Sequence, residues 1–203
     1  MLMKLDRIIL KRAFDIVFSA VVLLAVFPFA AIVIGAIIKL KSPGPVFFLQ
    51  RRNGLGGKAF TCIKFRTMRA DPSCEGKAAM AKDARKFPFG DFLRRHSIDE
   101  LPQFINVLLG DMSVVGPRPH AIWTTDAYKG LVNGYLARFR VKPGITGWAQ
   151  VNGCRGETKT TDDMERRIRL DIWYINHWSL ALDLRIIWMT VWNMLGRDRG
   201  NAY

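Results

Sequence analysis

Two adjacent carboxylates, Asp99 and Glu100, are the residues of this chain best suited to chemistry. They lie in the run Arg-Arg-His-Ser-Ile-Asp-Glu-Leu-Pro-Gln at 94–103, where a basic pair precedes them and a proline follows. An aspartate that neighbouring positive charge keeps ionised can attack phosphorus or bind a metal ion. Successive residues on a helix point about 100° apart, so one acid can act as nucleophile while the other holds Mg²⁺.

A structural interpretation of the same acids competes with the catalytic one. Ser97 with Glu100 three residues later fits the capping box that begins many helices, in which both acids would only stabilise a helix N-terminus. Pro102 complicates this interpretation, because a proline disfavours helical geometry at the residue before it. The helix therefore starts at Ser97 or at Pro102, and an acid pair alone does not decide between the interpretations.

The 203-residue chain is strongly basic, with 31 Lys and Arg against 17 Asp and Glu and a formal net charge of +14. Such a surplus predicts an anionic partner, which can be nucleic acid, a lipid surface or a phosphate-bearing small molecule. The length indicates one domain, or one domain with an appendage. Three widely spaced cysteines, odd in number, indicate reduced thiols in a cytosolic environment, and the three histidines form no ligand cluster.

The appendage is an apolar segment near the N-terminus. Residues 16–38 carry no charge over 23 positions, which is long enough to meet a membrane. Pro28 lies near the middle and obstructs the carbonyl of Leu24, so we expect a kink there. Each arm then reaches about halfway through a hydrocarbon core of roughly 30 Å.

Basic residues flank this segment on both sides. They are Lys4, Arg7, Lys11 and Arg12 before it, and Lys39, Lys41, Arg51 and Arg52 after it. Positive residues tend to stay on the cytoplasmic side of a membrane, which favours a helix that enters, bends at Pro28 and leaves on the same side. An ordinary kinked span is the alternative interpretation.

The rest of the chain predicts a mainly helical α/β domain with a small β-hairpin. The predicted elements are strands at 46–50, 59–67 and 148–151, and helices at 77–86, 102–109, 162–176 and 179–195. The period of two puts Lys64 and Arg66 on one face of the second strand, as a solvated edge or as an anion-facing pair. Gly-Pro-Arg-Pro at 116–119 predicts a rigid loop that presents Arg118 between two prolines.

Four of the six tryptophans lie between Trp173 and Trp192, in or beside the two C-terminal helices. Tryptophan with arginine near apolar helices favours a membrane interface. A tryptophan-rich soluble core is the alternative interpretation.

Seven ordered motifs carry a resemblance that covers nearly the whole chain. They are Lys-Arg-Ala-Phe-Asp at 11–15, Lys-Ser-Pro-Gly-Pro-Val at 41–46, Lys-Phe-Arg-Thr-Met at 64–68, Ser-Ile-Asp-Glu-Leu-Pro-Gln at 97–103, Gly-Asp-Met-Ser-Val-Val-Gly-Pro-Arg-Pro at 110–119, Lys-Pro-Gly-Ile-Thr-Gly-Trp-Ala-Gln-Val-Asn-Gly at 142–153 and Trp-Ser-Leu-Ala-Leu-Asp at 178–183. With these runs the chain resembles the bacterial sugar transferases, also called monotopic phosphoglycosyl transferases. Its C-terminal third is most similar to the undecaprenyl-phosphate glucose or galactose phosphotransferases of exopolysaccharide synthesis.

The resemblance implies a membrane-associated monotopic architecture. Residues 1–41 would be a re-entrant membrane helix broken at Pro28, with basic flanks. Residues 42–203 would be a catalytic domain on the cytoplasmic face of the bacterial inner membrane, with interfacial C-terminal helices. Family members often have serine before the helix-breaking proline, whereas this chain has Phe27, which puts the geometry of the bend in question.

The resemblance also implies an activity and roles for residues. Asp99 would attack the β-phosphorus of a UDP-sugar and release UMP, and undecaprenyl phosphate would then take the sugar phosphate from the aspartyl intermediate. Glu100 would bind the required Mg²⁺. The phosphate groups would be bound by basic residues, namely Arg118, Arg94, Arg155, Lys64 and Arg66.

The expected partners are a UDP-sugar, undecaprenyl phosphate and a lipid bilayer, without nucleic acid, for which the chain shows no recognisable motif. Contacts with a second copy of the chain or with downstream glycosyltransferases belong to the same expectation. Two other functions stay open at this point. One is a membrane-bound glycosyltransferase that releases UDP, and the other is a basic membrane scaffold without enzymatic activity.

Overall fold

A computed structural model describes residues 5–69, 85–156, 158 and 160–194 of the chain. The helices and strands within these ranges are α1 (Leu5–Ala25), α2 (Phe27–Lys41), β1 (Phe47–Asn53), β2 (Ala59–Phe65), α3 (Pro88–Arg95), α4 (Gln103–Leu109), β3 (Ser113–Val115), α5 (Ile122–Tyr128), β4 (Gly144–Thr146), α6 (Trp148–Val151), α7 (Thr161–His177) and α8 (Leu180–Trp192). Short 3₁₀ helices lie at Leu55–Gly57, Ile98–Glu100 and Tyr135–Arg140. The fold is mixed, mainly helical with two small sheets, and this part of the predicted fold class is confirmed.

The apolar N-terminal segment forms two helices that meet at an angle. α1 and α2 are bent by 55° at Val26, and Pro28 lies in the first turn of α2. The predicted kink is therefore confirmed, because a proline early in a helix leaves no room to continue the preceding one. Among the described residues no single helix is long and apolar enough to cross a membrane, and only this bent pair together meets that test.

α1 is fastened to the domain by polar contacts near its N-terminal half. Lys11 pairs with Asp183 of α8 at 2.7 Å, and Asp15 accepts hydrogen bonds from Ser113 Oγ and Val114 N at 3.0 Å. Arg12 donates to the last carbonyls of α4. The motifs at 11–15, 110–119 and 178–183 therefore meet at one junction between α1 and the core.

The other end of the bent pair is fastened to the same domain. Ile34 and Ile38 of α2 are buried in a cluster with Phe65 and Leu93. Arg66 donates to the carbonyls of Ser42 and Pro43, where α2 has just ended. Both helices of the bent pair thus contact the same domain.

The predicted hairpin is confirmed, although its first strand runs farther than expected. β1 and β2 are antiparallel, with Phe48 opposite Lys64 and Arg52 opposite Phe60. Because side chains alternate along a strand, Arg52 lies on the face that also carries Phe60, Cys62 and Lys64.

The strand predicted at 148–151 is wrong, since these residues form the short helix α6. The strand lies just before them as β4, which pairs in parallel with β3, so that Val115 is opposite Thr146. This pairing needs glycine, because a Cβ on Gly144 would lie 2.0 Å from the backbone nitrogen of Gly116. The sequence does not reveal β4, because a parallel partner far along the chain leaves no local pattern.

The C-terminal helices are confirmed as α7 and α8, and Ser179 caps α8 through its side chain. The tryptophans divide between core and surface. Trp178 is buried and donates to Asp183, whereas Trp188 and Trp192 are exposed on α8. The interfacial interpretation is therefore wrong for Trp178 and stays a prediction for the exposed pair.

Two further predictions meet the limits of the described ranges. The helix predicted at 77–86 lies outside the described residues except for its last two positions. Cys62 and Cys154 are free and buried, as predicted for reduced thiols, and Cys74 lies outside the described residues.

Candidate active site at Asp99 and Glu100

The acid pair lies in a strained turn between two helices. Ser97 has a left-handed backbone, with φ of 53° and ψ of 20°, and is the one non-glycine residue with positive φ in the part of the chain that the structure describes. Asp99 and Glu100 follow in a single 3₁₀ turn, and α4 begins at Gln103 after Pro102. Such backbone strain costs about 1–3 kcal/mol and is concentrated at functional sites.

The predicted capping box is wrong. The side chain of Ser97 caps no helix, because the left-handed backbone turns it away from the following amides. Ser97 Oγ instead accepts a hydrogen bond from Arg155. A loop beyond α6 thereby contacts the residue two positions before Asp99. α4 begins at Gln103 with Pro102 as its N-cap, which agrees with the second of the two predicted starts.

Glu100 is held by two cations. Lys64 Nζ of β2 lies 2.6 Å from Glu100 Oε1, and Arg118 contacts both carboxylate oxygens, at 2.8 and 3.3 Å. Burial acts to raise the pKa of Glu100, but the charges and hydrogen bonds of Arg118 and Lys64 outweigh it and hold this pKa well below its usual range. Glu100 is therefore an anion at neutral pH, and its oxygens already accept from Lys64 and Arg118.

Asp99 is buried beside Glu100 without such partners. No side chain among the described residues donates a hydrogen bond to its carboxylate. Burial raises the pKa of Asp99 to about 6, and the charge of Glu100 adds to this against the opposing charges of Lys64, Arg94 and Arg118. The positive charge expected to keep Asp99 ionised is therefore present, and burial opposes it by shifting the pKa upward.

The predicted basic residues divide into three groups. Lys64 and Arg118 contact the acid pair directly, and Arg94 is close enough to lower the pKa of Asp99. Arg155 reaches the turn through Ser97. Arg66 is buried at the end of α2 and bonds to backbone carbonyls there, so the structure does not bring it to Glu100.

Arg52 is a residue of this site that the sequence reasoning missed. Its guanidinium donates to the carbonyl of Pro119 and to Gln50. Burial lowers the pKa of Arg52, the charge of Arg118 acts in the same direction, and the charges of Glu100 and Asp99 oppose them. The hairpin pattern carried the signal, because alternation on paired strands puts Arg52 on the face of Lys64. In the part of the chain that the structure describes, it adds to the positive charge of Lys64, Arg94 and Arg118 near the acid pair, which suits an anionic ligand.

Two buried amide side chains on α4 differ in whether their oxygen has a hydrogen-bond partner, as the carboxylates of Glu100 and Asp99 do. Asn106 accepts from Ile63 N and donates to the carbonyl of Thr61, so it joins α4 to β2. Gln103 is 1% exposed, and its Oε1 has no hydrogen-bond partner among the described residues. Gln103 follows Asp99 by four positions and lies in the first turn of α4.

The described residues contain no group of three or more His, Cys, Asp and Glu side chains that could hold a metal ion. Mg²⁺ commonly takes one or two carboxylates, with waters and substrate phosphates completing its shell. Within the described ranges, no side chain donates to the carboxylate of Asp99 and Oε1 of Gln103 has no partner, so both are hard oxygen donors that fit this requirement.

Comparison with known proteins identifies a family and several relatives. The family model for bacterial sugar transferases matches residues 6–197. A UDP-glucose:undecaprenyl-phosphate glucose-1-phosphate transferase of Escherichia coli is 50% identical over 184 residues, which cover 90% of this chain and 39% of that protein. The enzyme of the same name from Caulobacter vibrioides is 47% identical and covers 95% of this chain and 72% of its own length.

A third relative matches almost end to end. The exopolysaccharide production protein PSS of Rhizobium leguminosarum is 46% identical over 199 residues, which cover 95% of this chain and 98% of that protein. By contrast, the chain spans less than half of the Escherichia coli relative.

Proposed function

Because the chain belongs to the bacterial sugar transferase family, we propose that it moves a sugar-1-phosphate from a UDP-sugar to undecaprenyl phosphate. The names of the relatives from Escherichia coli and Caulobacter vibrioides support glucose as the sugar. Galactose is the second candidate. The observation that carries the proposal is a difference in hydrogen bonding between the two acids. Glu100 is bound by two cations, whereas no side chain among the described residues donates to Asp99.

In the proposed reaction Asp99 is the nucleophile. A carboxylate oxygen of Asp99 attacks the β-phosphorus of the UDP-sugar, a P–O bond to Asp99 forms, and the bond between the β-phosphorus and the bridging oxygen breaks, so that UMP leaves. A phosphate oxygen of undecaprenyl phosphate then attacks the same phosphorus, and the bond to Asp99 breaks. The carboxylate is regenerated, and the product carries a diphosphate between lipid and sugar.

The surrounding cations would supply positioning and charge stabilisation, which account for most of the catalysis of phosphoryl transfer. Arg118 and Lys64, already at the acid pair, would bind the substrate phosphates together with Arg94. Arg155 would do so from the loop beyond α6. Arg66, which bonds to the end of α2, is the predicted phosphate ligand with the least support.

Magnesium would join this site through Asp99 and Gln103, with the substrate phosphates as further ligands. Bound there it would neutralise charge on the transferred phosphoryl group. Glu100, predicted as the magnesium ligand, can contribute directly only if Lys64 or Arg118 gives up one of its oxygens. Its role in the proposal is therefore to hold the two cations beside the nucleophile.

The proposal also includes a re-entrant N-terminal helix and a cytoplasmic catalytic domain, with residues 1–41 and 42–203 as the two parts. Support comes from the two ends of the bent pair, which are fastened to one domain at Asp183 and at Arg66. The face away from the domain is apolar and exposed, with Val21, Leu24 and Phe29 at 60%, 80% and 73%. Cysteines replacing Arg7 and Lys41 should both be labelled from the cytoplasmic side; labelling of Arg7Cys only from outside would indicate a span.

The decisive test is the nucleotide product. The purified chain is incubated with undecaprenyl phosphate, Mg²⁺ and each of a panel of UDP-sugars, and UMP and UDP are separated by chromatography. The proposal expects UMP with UDP-glucose, together with a phosphosugar trapped on Asp99 when the lipid is omitted. UDP as the only nucleotide product would indicate an ordinary glycosyltransferase, and no turnover with any UDP-sugar would favour a scaffold.

A further inference from the structure

The loop that carries Arg118, residues 116–119, is held through its carbonyl groups. Pro117 and Pro119 have no N–H to donate, so acceptors dominate this stretch of backbone. Three consecutive carbonyls accept from three different elements: Pro117 O from Gly144 N at 2.9 Å, Arg118 O from Arg138 Nη2 at 2.6 Å, and Pro119 O from Arg52 Nη1 at 2.8 Å. The backbone around Arg118 is thereby fixed by contacts that are separate from those of its guanidinium, which contacts Glu100.

Arg138 is the most deeply buried of the donors from side chains. It lies in the 3₁₀ helix Tyr135–Arg140 and pairs with Asp171 of α7 at 2.9 Å, and both side chains are 2% exposed. Removing one partner of a buried ion pair is strongly destabilising, because it leaves a charge without compensation. The buried pair with Asp171 therefore fixes the guanidinium of Arg138, which donates to the carbonyl of Arg118.

Arg138 also holds the residue that follows the loop. Its Nη1 donates to Nδ1 of His120, which therefore carries no proton there, and Tyr135 Oη lies 2.6 Å from the same nitrogen. Burial and then the charge of Arg138 hold the pKa of His120 well below its usual range, so this histidine is neutral. One guanidinium thus contacts the chain both at Arg118 and at His120.

We propose that Arg138, clamped by Asp171, is a positioning residue that fixes Arg118 against Glu100 from behind the loop. This inference rests on the proposed function, in which Arg118 binds a substrate phosphate. Arg138 itself needs no contact with substrate. A displacement of about 1 Å at a positioning group can cost on the order of 100-fold in rate, so a small shift of the loop is expected to be visible in turnover.

A double-mutant cycle tests the inference. The variants are Arg118→Ala, Arg138→Lys and their combination, and the measured quantity is kcat/KM for UMP release. Lysine keeps the charge beside Asp171 but cannot also reach the two other acceptors, so Arg138→Lys should lose roughly 10- to 100-fold. If Arg138 acts through Arg118, the double variant should be no slower than Arg118→Ala alone; losses that multiply would overturn the proposal.

Asp171→Asn serves as the second route if Arg138→Lys does not accumulate as folded protein. This substitution keeps the shape of the Asp171 side chain, removes its negative charge and changes none of the residues at the acid pair. The same criterion of non-additivity applies. The matched control is Lys129→Met, which breaks the exposed pair with Asp126 on the surface. This control should change kcat/KM by less than about twofold.

Hydrogen exchange, which needs no catalysis, distinguishes a failure of this inference from a failure of the proposed function. Hydrogen exchange of a peptide that covers residues 113–121 should be faster in Asp171→Asn than in the wild type, and unchanged in Lys129→Met. If Arg118→Ala remains fully active, the proposed role of Arg118 fails while the clamp can still be seen by exchange. If Arg118→Ala is impaired and both clamp variants exchange and turn over like the wild type, the clamp is wrong.

Discussion

Two buried acidic clusters in this molecule differ in how their carboxylates are satisfied. At the junction with α1, Asp183 accepts from Lys11, from Tyr174 Oη at 2.7 Å and from Trp178 Nε1 at 3.0 Å. At the candidate active site, Glu100 is similarly bound by Lys64 and Arg118, but Asp99 accepts from no side chain in the described part of the chain. The junction is closed by its own donors, whereas the candidate site leaves one carboxylate for a ligand.

The difference has a physical meaning. A buried acid with a full set of donors stabilises the fold only in that arrangement and offers nothing to an incoming molecule. A buried acid without donors lowers the stability of the fold when it is ionised, and such groups persist mainly where function requires them. The two clusters should therefore respond oppositely to the loss of an acid.

The largest expected effect is the loss of activity in Asp99→Asn. Removing a nucleophile should lower UMP release by at least roughly 10³-fold. The same variant should be as stable as the wild type or more so by about 1–3 kcal/mol near pH 7.5, because it removes an ionised carboxylate whose pKa burial has raised. Activity and chemical unfolding of the purified variant measure the two effects.

Glu100→Gln is the control for this prediction. Its folded-state pKa is depressed, so the carboxylate contributes stability above the unfolded pKa, and the variant should lose stability at neutral pH. Destabilisation of both variants alike would contradict the proposed difference between the two acids.

Asp183→Asn should have the next largest effect, and we expect it on the stability of the fold and not on turnover. Lys11 then faces a neutral amide, and the donors of Tyr174 and Trp178 compete for one oxygen, so we expect a loss of about 3–5 kcal/mol. Turnover per folded molecule should change little, because the cluster lies at α1. Unfolding monitored by tryptophan fluorescence checks this, with Asp126→Asn at an exposed pair as the variant that should change nothing measurable.

The two amides of α4 extend the comparison to uncharged groups. Asn106→Leu leaves Ile63 N and the Thr61 carbonyl without their partner in a buried place, which should cost about 2–4 kcal/mol. Gln103→Leu removes an acceptor that has no described partner, so stability should be unchanged or higher. The same variant should bind Mn²⁺, a probe for Mg²⁺ in electron paramagnetic resonance titrations, more weakly than the wild type.

Two results would contradict the prediction for Gln103. If Gln103→Leu loses as much stability as Asn106→Leu, its amide is bonded in solution and is not an open ligand position. If stability is kept but Mn²⁺ affinity is also kept, Gln103 is not part of a metal site.

Helices α4, α7 and α8 and the hairpin could be predicted from the sequence because each leaves a local pattern. Pro28 predicted the kink, and alternation predicted the face of Lys64. The seven motifs then predicted the family, which the comparisons confirm.

The remaining features depend on contacts between distant parts of the chain. Ser97 looked like a helix cap, and only the contact from Arg155 and the left-handed backbone show that it is not. The pairing of β3 with β4 and the clamp of Arg138 on Arg118 each join segments whose spacing carries no periodic signal. The distribution of donors between Asp99 and Glu100 follows from these contacts, so it was not predictable from an Asp-Glu pair.

The smallest expected effect is the pH dependence of the first half-reaction. Only ionised Asp99 can attack phosphorus, and its pKa is about 6. The rate of UMP release should therefore fall as pH decreases through this value, by roughly tenfold per pH unit well below it, and level off above about pH 7. Glu100 does not contribute to this decrease, because Arg118 and Lys64 keep it ionised throughout the range.

Single-turnover UMP release without undecaprenyl phosphate is the appropriate measurement, since the phosphate of the lipid acceptor also titrates near neutral pH. A profile that stays flat from pH 7 down to pH 5 would show that Asp99 has an ordinary pKa and is satisfied by donors like Asp183. A midpoint near 6 that moves lower in Glu100→Gln would assign part of the upward shift to the neighbouring charge. The difference between the candidate active site and the junction at α1 would then be measured through the titration of Asp99.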